Sequence, residues 1–163
     1  MVVDFVLRNA PEMKVATLTM KGRWPGDKPI REEFEKLHAW TRSRGLKTGK
    51  WVFRELGDMT GPESSAKWEV GIEVRGKGPL RGGGGVSIKT LPATKVASVT
   101  FDPDVVSARL VYHGISDWLR WREKFKEWKS VGPYREMYSG NPWTSKSAWA
   151  HTQVQAPVKK AKS

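Results

Sequence analysis

Tyr134-Arg135-Glu136-Met137-Tyr138 places a carboxylate between two phenols at two-residue spacing. In a strand, alternate side chains leave the same face, so Tyr134, Glu136 and Tyr138 point together. A carboxylate among aromatic rings is partly desolvated, which disfavours its charged form and raises its pKa. Such a group can meet a cation, each ring face adding roughly 0.5–2 kcal/mol of cation–π attraction. It can also act as a general acid or base near neutral pH, which makes Glu136 the candidate catalytic residue. The plainer alternative is an ion pair with a basic neighbour on an exposed sheet face.

The pattern occurs twice. Slid against itself by 81 residues, the chain matches in order: Asn9–Thr19 over Thr90–Thr100, Trp40 over Trp121, Phe53-Arg54-Glu55 over Tyr134-Arg135-Glu136, and Trp68 over Trp149. A fixed offset of this kind marks an internal repeat. Alternation puts Leu56 and Met137 on the face expected to meet helices. Phe53, Glu55, Tyr134, Glu136 and Tyr138 then fall on the open face, where two repeats bring the glutamates to one groove. An apolar groove with a few polar groups is the usual make-up of a small-molecule site. Tyr112, Trp143 and Trp149 complete the expected lining, with Trp143 after Asn141-Pro142 either a lid or a cap on the core. Trp68 is expected in the core.

The elements that must position these residues are legible by pattern. The β-branched runs around Val15 and Val96 read as strands. Ile30, Phe34, Leu37 and Trp40 recur at helical spacing, and Gly45 is a plausible stop. Val111, Ile115, Trp118 and Trp121 repeat that spacing, with the helix expected to begin near Ser116. Tyr112-His113-Gly114 would then precede it. Segments 51–56, 67–74, 133–138 and 148–158 read as extended. The fold class expected is α+β: duplicated strand–helix–strand–strand modules forming one antiparallel sheet, with helices on one face and a ligand groove on the other. Residues 1–158 form a single domain of two repeats, about 3–75 and 85–158. Arg75 to Gly85 reads as a flexible Gly-rich linker, because four consecutive glycines disfavour any element interior. A phosphate-cradling loop would need a helix after it, and VSIKTL is a strand pattern. Residues 159–163 read as a disordered basic tail.

Composition narrows the function classes. The 163 residues include nine Trp and no Cys, so disulfides and thiolate metal sites are excluded. His38, His113 and His151 are scattered without paired spacing, so no metal is expected, and no cofactor. No nucleophile-elbow motif occurs. The N-terminus lacks a signal-peptide pattern and no apolar stretch approaches about 20 residues, so a cytoplasmic protein with no membrane partner is expected. The formal charge is 29 − 17 = +12. It is dispersed rather than gathered in a basic motif, so nucleic acid is expected only through nonspecific charge. Trp118, Trp121, Phe125 and Trp128 read as helix packing in preference to a base-stacking platform. Oligomeric state is left open.

The two-repeat plan, Lys-Val-Ala in each half, and Tyr134–Trp143 followed by Trp149-x-x-x-Gln153-x-x-x-Pro157-Val158 resemble the GyrI-like small-molecule-binding superfamily. The resemblance spans nearly the whole chain and is sharpest from Pro133 to Val158. It implies an antiparallel sheet built of two modules, a hydrophobic cleft, and a glutamate meeting cationic drugs, a position on which Glu136 falls. Some free-standing members are similar to hydrolases that open cyclopropane rings of DNA-alkylating natural products. The chain departs from the fused regulators in showing no DNA-binding domain. It also has Ala150–Gln155 where many relatives carry an acidic last-strand residue, and Glu69 and Glu73 are the candidates to substitute for it.

Three functional readings follow. The first is binding of a small, flat, apolar or cationic molecule, for sensing or sequestration of toxic compounds. The second is a hydrolase in which Glu136 activates water against a cyclopropane or similar electrophile. The third is an interaction protein that binds a topoisomerase or nucleic acid through its basic surface.

Overall fold

β-Branched runs and amphipathic helices alternate in an order that nearly repeats. The computed structural model describes residues 4–57, 60–76 and 79–162. In chain order the elements are β1 (Val6–Ala10), β2 (Met13–Lys21), α1 (Asp27–Ser43), β3 (Lys47–Glu55), a 3₁₀ turn (Glu63–Ser65), β4 (Lys67–Arg75), β5 (Ser87–Leu91), β6 (Thr94–Phe101), α2 (Ala108–Lys124), β7 (Trp128–Ser130), β8 (Arg135–Tyr138), α3 (Lys146–Ala150) and β9 (Thr152–Lys160). The class is α+β with antiparallel pairing, as expected. Each half carries a short leading strand, β1 or β5, ahead of the strand–helix–strand–strand order.

The chain forms two compact units, and they are not its two sequence halves. One unit runs from Glu12 to Pro92; the other holds the chain up to Pro11 and from Ala93 onward. Strand β1 therefore pairs with β6, and β5 pairs with β2, each across most of a repeat in sequence. Pro11 and Pro92, matched at the offset of 81, stand at the two crossings.

Within the Glu12–Pro92 unit the strands lie β3-β4-β2-β5. Helix α1 starts with Pro29 in its first turn, where the missing N–H costs nothing. It ends as predicted: Gly45 adopts φ +63° and donates to Arg42 O at 3.0 Å. Phe34 and Leu37 are fully buried, and Phe34 stacks on Trp51 at 4.9 Å. The glycine run is not a structureless linker. Gly83 and Val86 exchange two backbone hydrogen bonds of 2.9 and 3.1 Å. Gly84 and Gly85 between them sit at φ +61° and +85°, the primed two-residue turn that only such residues take readily. Residues 77 and 78 of the expected linker, like residue 3 and Ser163, lie outside the described residues.

In the second unit the order is β1-β6-β9-β8, with β7 also on β9. Helix α2 lies on this sheet. Val111, Ile115 and Leu119 pack against Ala97, Val99, Phe101, Val154, Ala156 and Val158. Each large aliphatic side chain buried this way contributes roughly 1.5–3 kcal/mol. Strand β9 carries the chain past the point where disorder is expected: Lys159 and Lys160 pair with Lys129 and Trp128, and Ala161 N donates to Glu127 O at 3.1 Å.

Three local expectations change. Helix α2 begins at Ala108 after Ser107, not near Ser116, so Tyr112-His113-Gly114 lies inside it. Segment 146–150 is helical, so Trp149 stands on α3, and the last strand begins only at Thr152. The repeat offset also shifts. Glu55 pairs with Trp68, and Glu136 with Val154. Since 136 − 55 = 81 and 154 − 68 = 86, five residues are inserted in the second half, the length of α3. Trp68 is thus equivalent to Val154 rather than to Trp149; it is buried, as expected of a core residue.

Candidate functional site

Strand β8 is four residues long and pairs with β9 in the register Arg135↔Gln155, Glu136↔Val154, Met137↔Gln153. Residues directly opposite in an antiparallel pair share a face. Val154 belongs to the core under α2, so Glu136 faces the helix side, while Arg135 and Met137 face away from it. This inverts the expected assignment, which put Met137 beneath the helix and Glu136 on the open face. The same holds in the other unit: Trp51 meets Phe34 of α1, and Phe53 and Glu55 follow it at two-residue spacing. Alternation groups side chains correctly. It does not say which group the helix covers.

On the helix side, Glu136 is held by two tyrosines. Tyr112 Oη on α2 donates to Glu136 Oε1 at 2.8 Å, and Tyr138 Oη donates to Oε2 at 2.6 Å. The Tyr134 ring stacks with that of Tyr112, with centroids 6.0 Å apart and planes at 16°. Its hydroxyl lies 3.2 Å from Ser116 Oγ, one helical turn beyond Tyr112. Helix α2 thus supplies Tyr112 and Ser116 at i and i+4, and the β8 segment supplies Tyr134, Glu136 and Tyr138.

Burial pushes the Glu136 carboxyl above its ordinary value of 4.5, and the two tyrosine hydrogen bonds pull it part of the way back. The arrangement is a half-buried carboxylate with each oxygen accepting from a neutral donor and with aromatic rings around it. It can accept a cation as counter-charge, or hold a proton above the usual carboxylate range.

The other sequence-predicted residues have partners of their own. Phe53 is buried in the other unit, 6.0 Å from Trp68 ring to ring, and Glu55 is exposed at the end of β3. Trp143 follows β8, with its backbone N–H on Asn141 Oδ1 at 2.9 Å. Trp149 is half-buried, and its indole donates to Asp104 Oδ1 at 3.0 Å. Ser116 is a member that sequence reading treats only as a helix cap. Its i, i+4 relation to Tyr112 becomes visible once α2 is started at Ala108.

The faces away from the helices carry polar chains. In the Glu12–Pro92 unit, Arg54 grips Glu69 with Nε and Nη2 at 3.0 and 2.6 Å, and Lys89 of β5 bonds the other carboxylate oxygen. In the second unit, Arg135 Nε donates to Gln155 Oε1 at 2.8 Å, Gln155 bonds Gln153, and Gln153 Nε2 donates to Thr100 Oγ1 at 3.1 Å. Beside that chain a cavity of about 290 Å³ is lined by Asp4, Val6, Arg8, Ser98 and Thr100. Glu69, considered as a stand-in for a missing last-strand acid, is committed to an ion pair. Among the described residues, no group of three His, Asp or Glu is placed to hold a metal ion. Nor is any helix long and apolar enough to cross a membrane.

The profile of the GyrI-like small molecule binding domain matches residues 4–159. In structure the chain is similar to the EcmrR C-terminal domain, with a TM-score of 0.77 and 20% identity over 99% of this chain and 100% of that one. It is also similar to SAV2435, solved bound to tetraphenylphosphonium, with a TM-score of 0.55 and 13% identity over 96% and 94% of the two chains. A protein from Listeria innocua described as a hydrolase superposes with a TM-score of 0.60 and 11% identity, over 95% of this chain and 91% of that one. At these identities the likeness is one of fold. A comparison with curated protein sequences finds no match.

Proposed function

The chain belongs to the GyrI-like small-molecule-binding domain family, and from that premise we propose that it binds a flat, lipophilic cation with Glu136 as the counter-charge. The observation that carries this reading is the tyrosine-held carboxylate, half-buried and with a raised pKa. A carboxylate removed from water pays a desolvation cost that a bound cation offsets. The tyrosine hydroxyls keep both oxygens in place; Tyr112 and Tyr134 stack on each other, so it is their outer faces that a delocalised positive charge would meet, beside the buried Tyr138. A hydrated inorganic ion gains little from such walls; a cation that sheds its water easily gains most. The relative solved with tetraphenylphosphonium supports the same ligand class. Sensing or sequestration of toxic compounds is the corresponding role.

Titration with tetraphenylphosphonium, followed by calorimetry, tests the reading. Glu136→Gln keeps the shape and removes the charge. Saturable binding weakened at least about tenfold in this variant is expected, which is the loss of about 1.4 kcal/mol. Equal affinity in the two proteins would sink the proposal.

A hydrolytic role draws on the same carboxyl group. With its pKa raised, Glu136 can protonate a leaving carbon as a strained ring opens to water. Each carboxylate oxygen keeps a further lone pair beside its tyrosine hydrogen bond, so this geometry serves either role. The family's small-molecule binding makes binding the better-supported reading. Incubation with a cyclopropane electrophile and mass spectrometry distinguishes them: a water adduct forming faster than in buffer, and lost in Glu136→Gln, would favour hydrolysis.

A further inference from the structure

Helix α2 is apolar on two sides. Its inner stripe, Val111, Ile115 and Leu119, is buried against the sheet. Its outer side carries Leu110, Trp121 and Phe125, which are 66%, 58% and 65% exposed, and Val105 just before the helix is 60% exposed. At 100° per residue, Leu110, Trp121 and Phe125 fall within about 60° of one another on an interrupted stripe, Leu110 near the start of the helix and Trp121 with Phe125 at its end, with Asp117 and the Phe5-packed Gly114 between them. Trp118 and Trp128 pack against the core, as sequence reading expects of all four aromatics; Trp121 and Phe125 do not.

Charge flanks the stripe. Arg109, Arg120 and Lys124 lie along one side, and Lys126 follows the helix. Acids lie nearby as well: Asp117 faces Arg120 at 3.6 Å and Glu127 faces Arg122 at 3.0 Å, so Arg109, Lys124 and Lys126 carry the excess positive charge of this face. Glu123, also exposed, stands off the stripe. The chain as a whole carries +12.

We propose that this outer face of α2 docks on an anionic lipid surface, the helix lying in the interface without crossing it. An apolar stripe edged by Lys and Arg is the form of an interfacial helix, with rings and aliphatics entering the headgroup boundary and cations meeting phosphates. The observations favour lipid over nucleic acid. A base-stacking platform needs open ring faces. Trp121 already has Phe125 stacked on it at 6.0 Å and 15°, and Lys124 over its ring at 4.9 Å. Leu110 and Val105 add aliphatic surface that stacking does not use. This inference departs from the expectation of no membrane partner and is independent of the Glu136 site.

Vesicle flotation tests it, at about 0.15 M salt so that weak long-range attraction is screened. The full chain is expected to float with phosphatidylcholine vesicles containing about one third phosphatidylglycerol, and not with phosphatidylcholine alone. The double variant Trp121→Ala, Phe125→Ala should bind at least about tenfold more weakly while keeping its circular dichroism spectrum. Should that variant misfold, Arg120→Glu, Lys124→Glu probes the same face with the rings intact and should also fail to float. Flotation unchanged in a folded variant, or equal on neutral vesicles, overturns the proposal. So does an absence of flotation, in particular with a single-stranded oligonucleotide shift that the same substitutions weaken.

Discussion

At the residue scale, Glu136 ties stability to pH. Its ordinary value is 4.5, and burial raises it in the folded protein. Between those two values the folded state holds a proton that the unfolded chain has released. The contribution of Glu136 to stability is therefore greatest below 4.5 and falls as pH rises through the folded pKa. Glu136→Gln carries no such proton, so its stability should lack this component of the slope. Urea denaturation at a series of pH values reads the difference: the wild type should gain on the variant as pH is lowered toward 4.5. Parallel curves would mean that the carboxyl group is not desolvated as the structure indicates. The composition of this cluster was largely legible. Tyr134, Glu136 and Tyr138 announce themselves by alternation, and Tyr112 by its type. Ser116 was not, because a lone serine in a helix carries no signal until its neighbour's turn is known.

At the element scale, the two sheet faces divide the work. The helix-side face holds core residues and Glu136; the other holds chains of polar groups that include Arg54-Glu69-Lys89, set among buried apolar residues such as Val15, Val96 and Met137. Which face is which could not be read from the strands. Met137 is as apolar as a core residue should be, yet it is buried on the side away from α2. What decides is the partner strand, where Val154, Ala156 and Val158 alternate with Gln153, Gln155 and Pro157. Helix α2 covers the first set, and the register then carries Glu136 with it. The buried ion pair makes a prediction of its own. Glu69 is 3% exposed and its carboxylate is the common partner of Arg54 and Lys89. Glu69→Ala leaves the mostly buried Arg54 without that charge, a change that costs about 3–5 kcal/mol in comparable settings. Glu73→Ala, on the same strand with the exposed Arg75 and the Lys50 backbone N–H as partners, should cost less, about 1–2 kcal/mol. Chemical denaturation of both variants checks the contrast, and equal losses would show that the Arg54 pairing is not what stabilises the strand.

At the scale of the whole molecule, the repeat is real in sequence but does not map onto the folded units. Self-alignment finds Lys14 over Lys95 and Glu55 over Glu136 because those residues occupy the same places in equivalent elements. It cannot find that β1 and β5 pair outside their own halves, since a five-residue strand carries no mark of its partner. Pairing is set by which edge is open, and the edges of β6 and β2 take the strands that complete them. One consequence is testable by truncation. Removing residues through Ala10 takes β1 from its place beside β6, more than 80 residues away in sequence, while β2, its immediate neighbour in the chain, keeps both β4 and β5. Hydrogen exchange should therefore quicken in the stretch from Lys95 to Ser98, whose strand has lost one side of its ladder, and stay slow from Met13 to Thr17. If the chain instead folded as two sequential halves, the same truncation would loosen β2 and leave β6 protected.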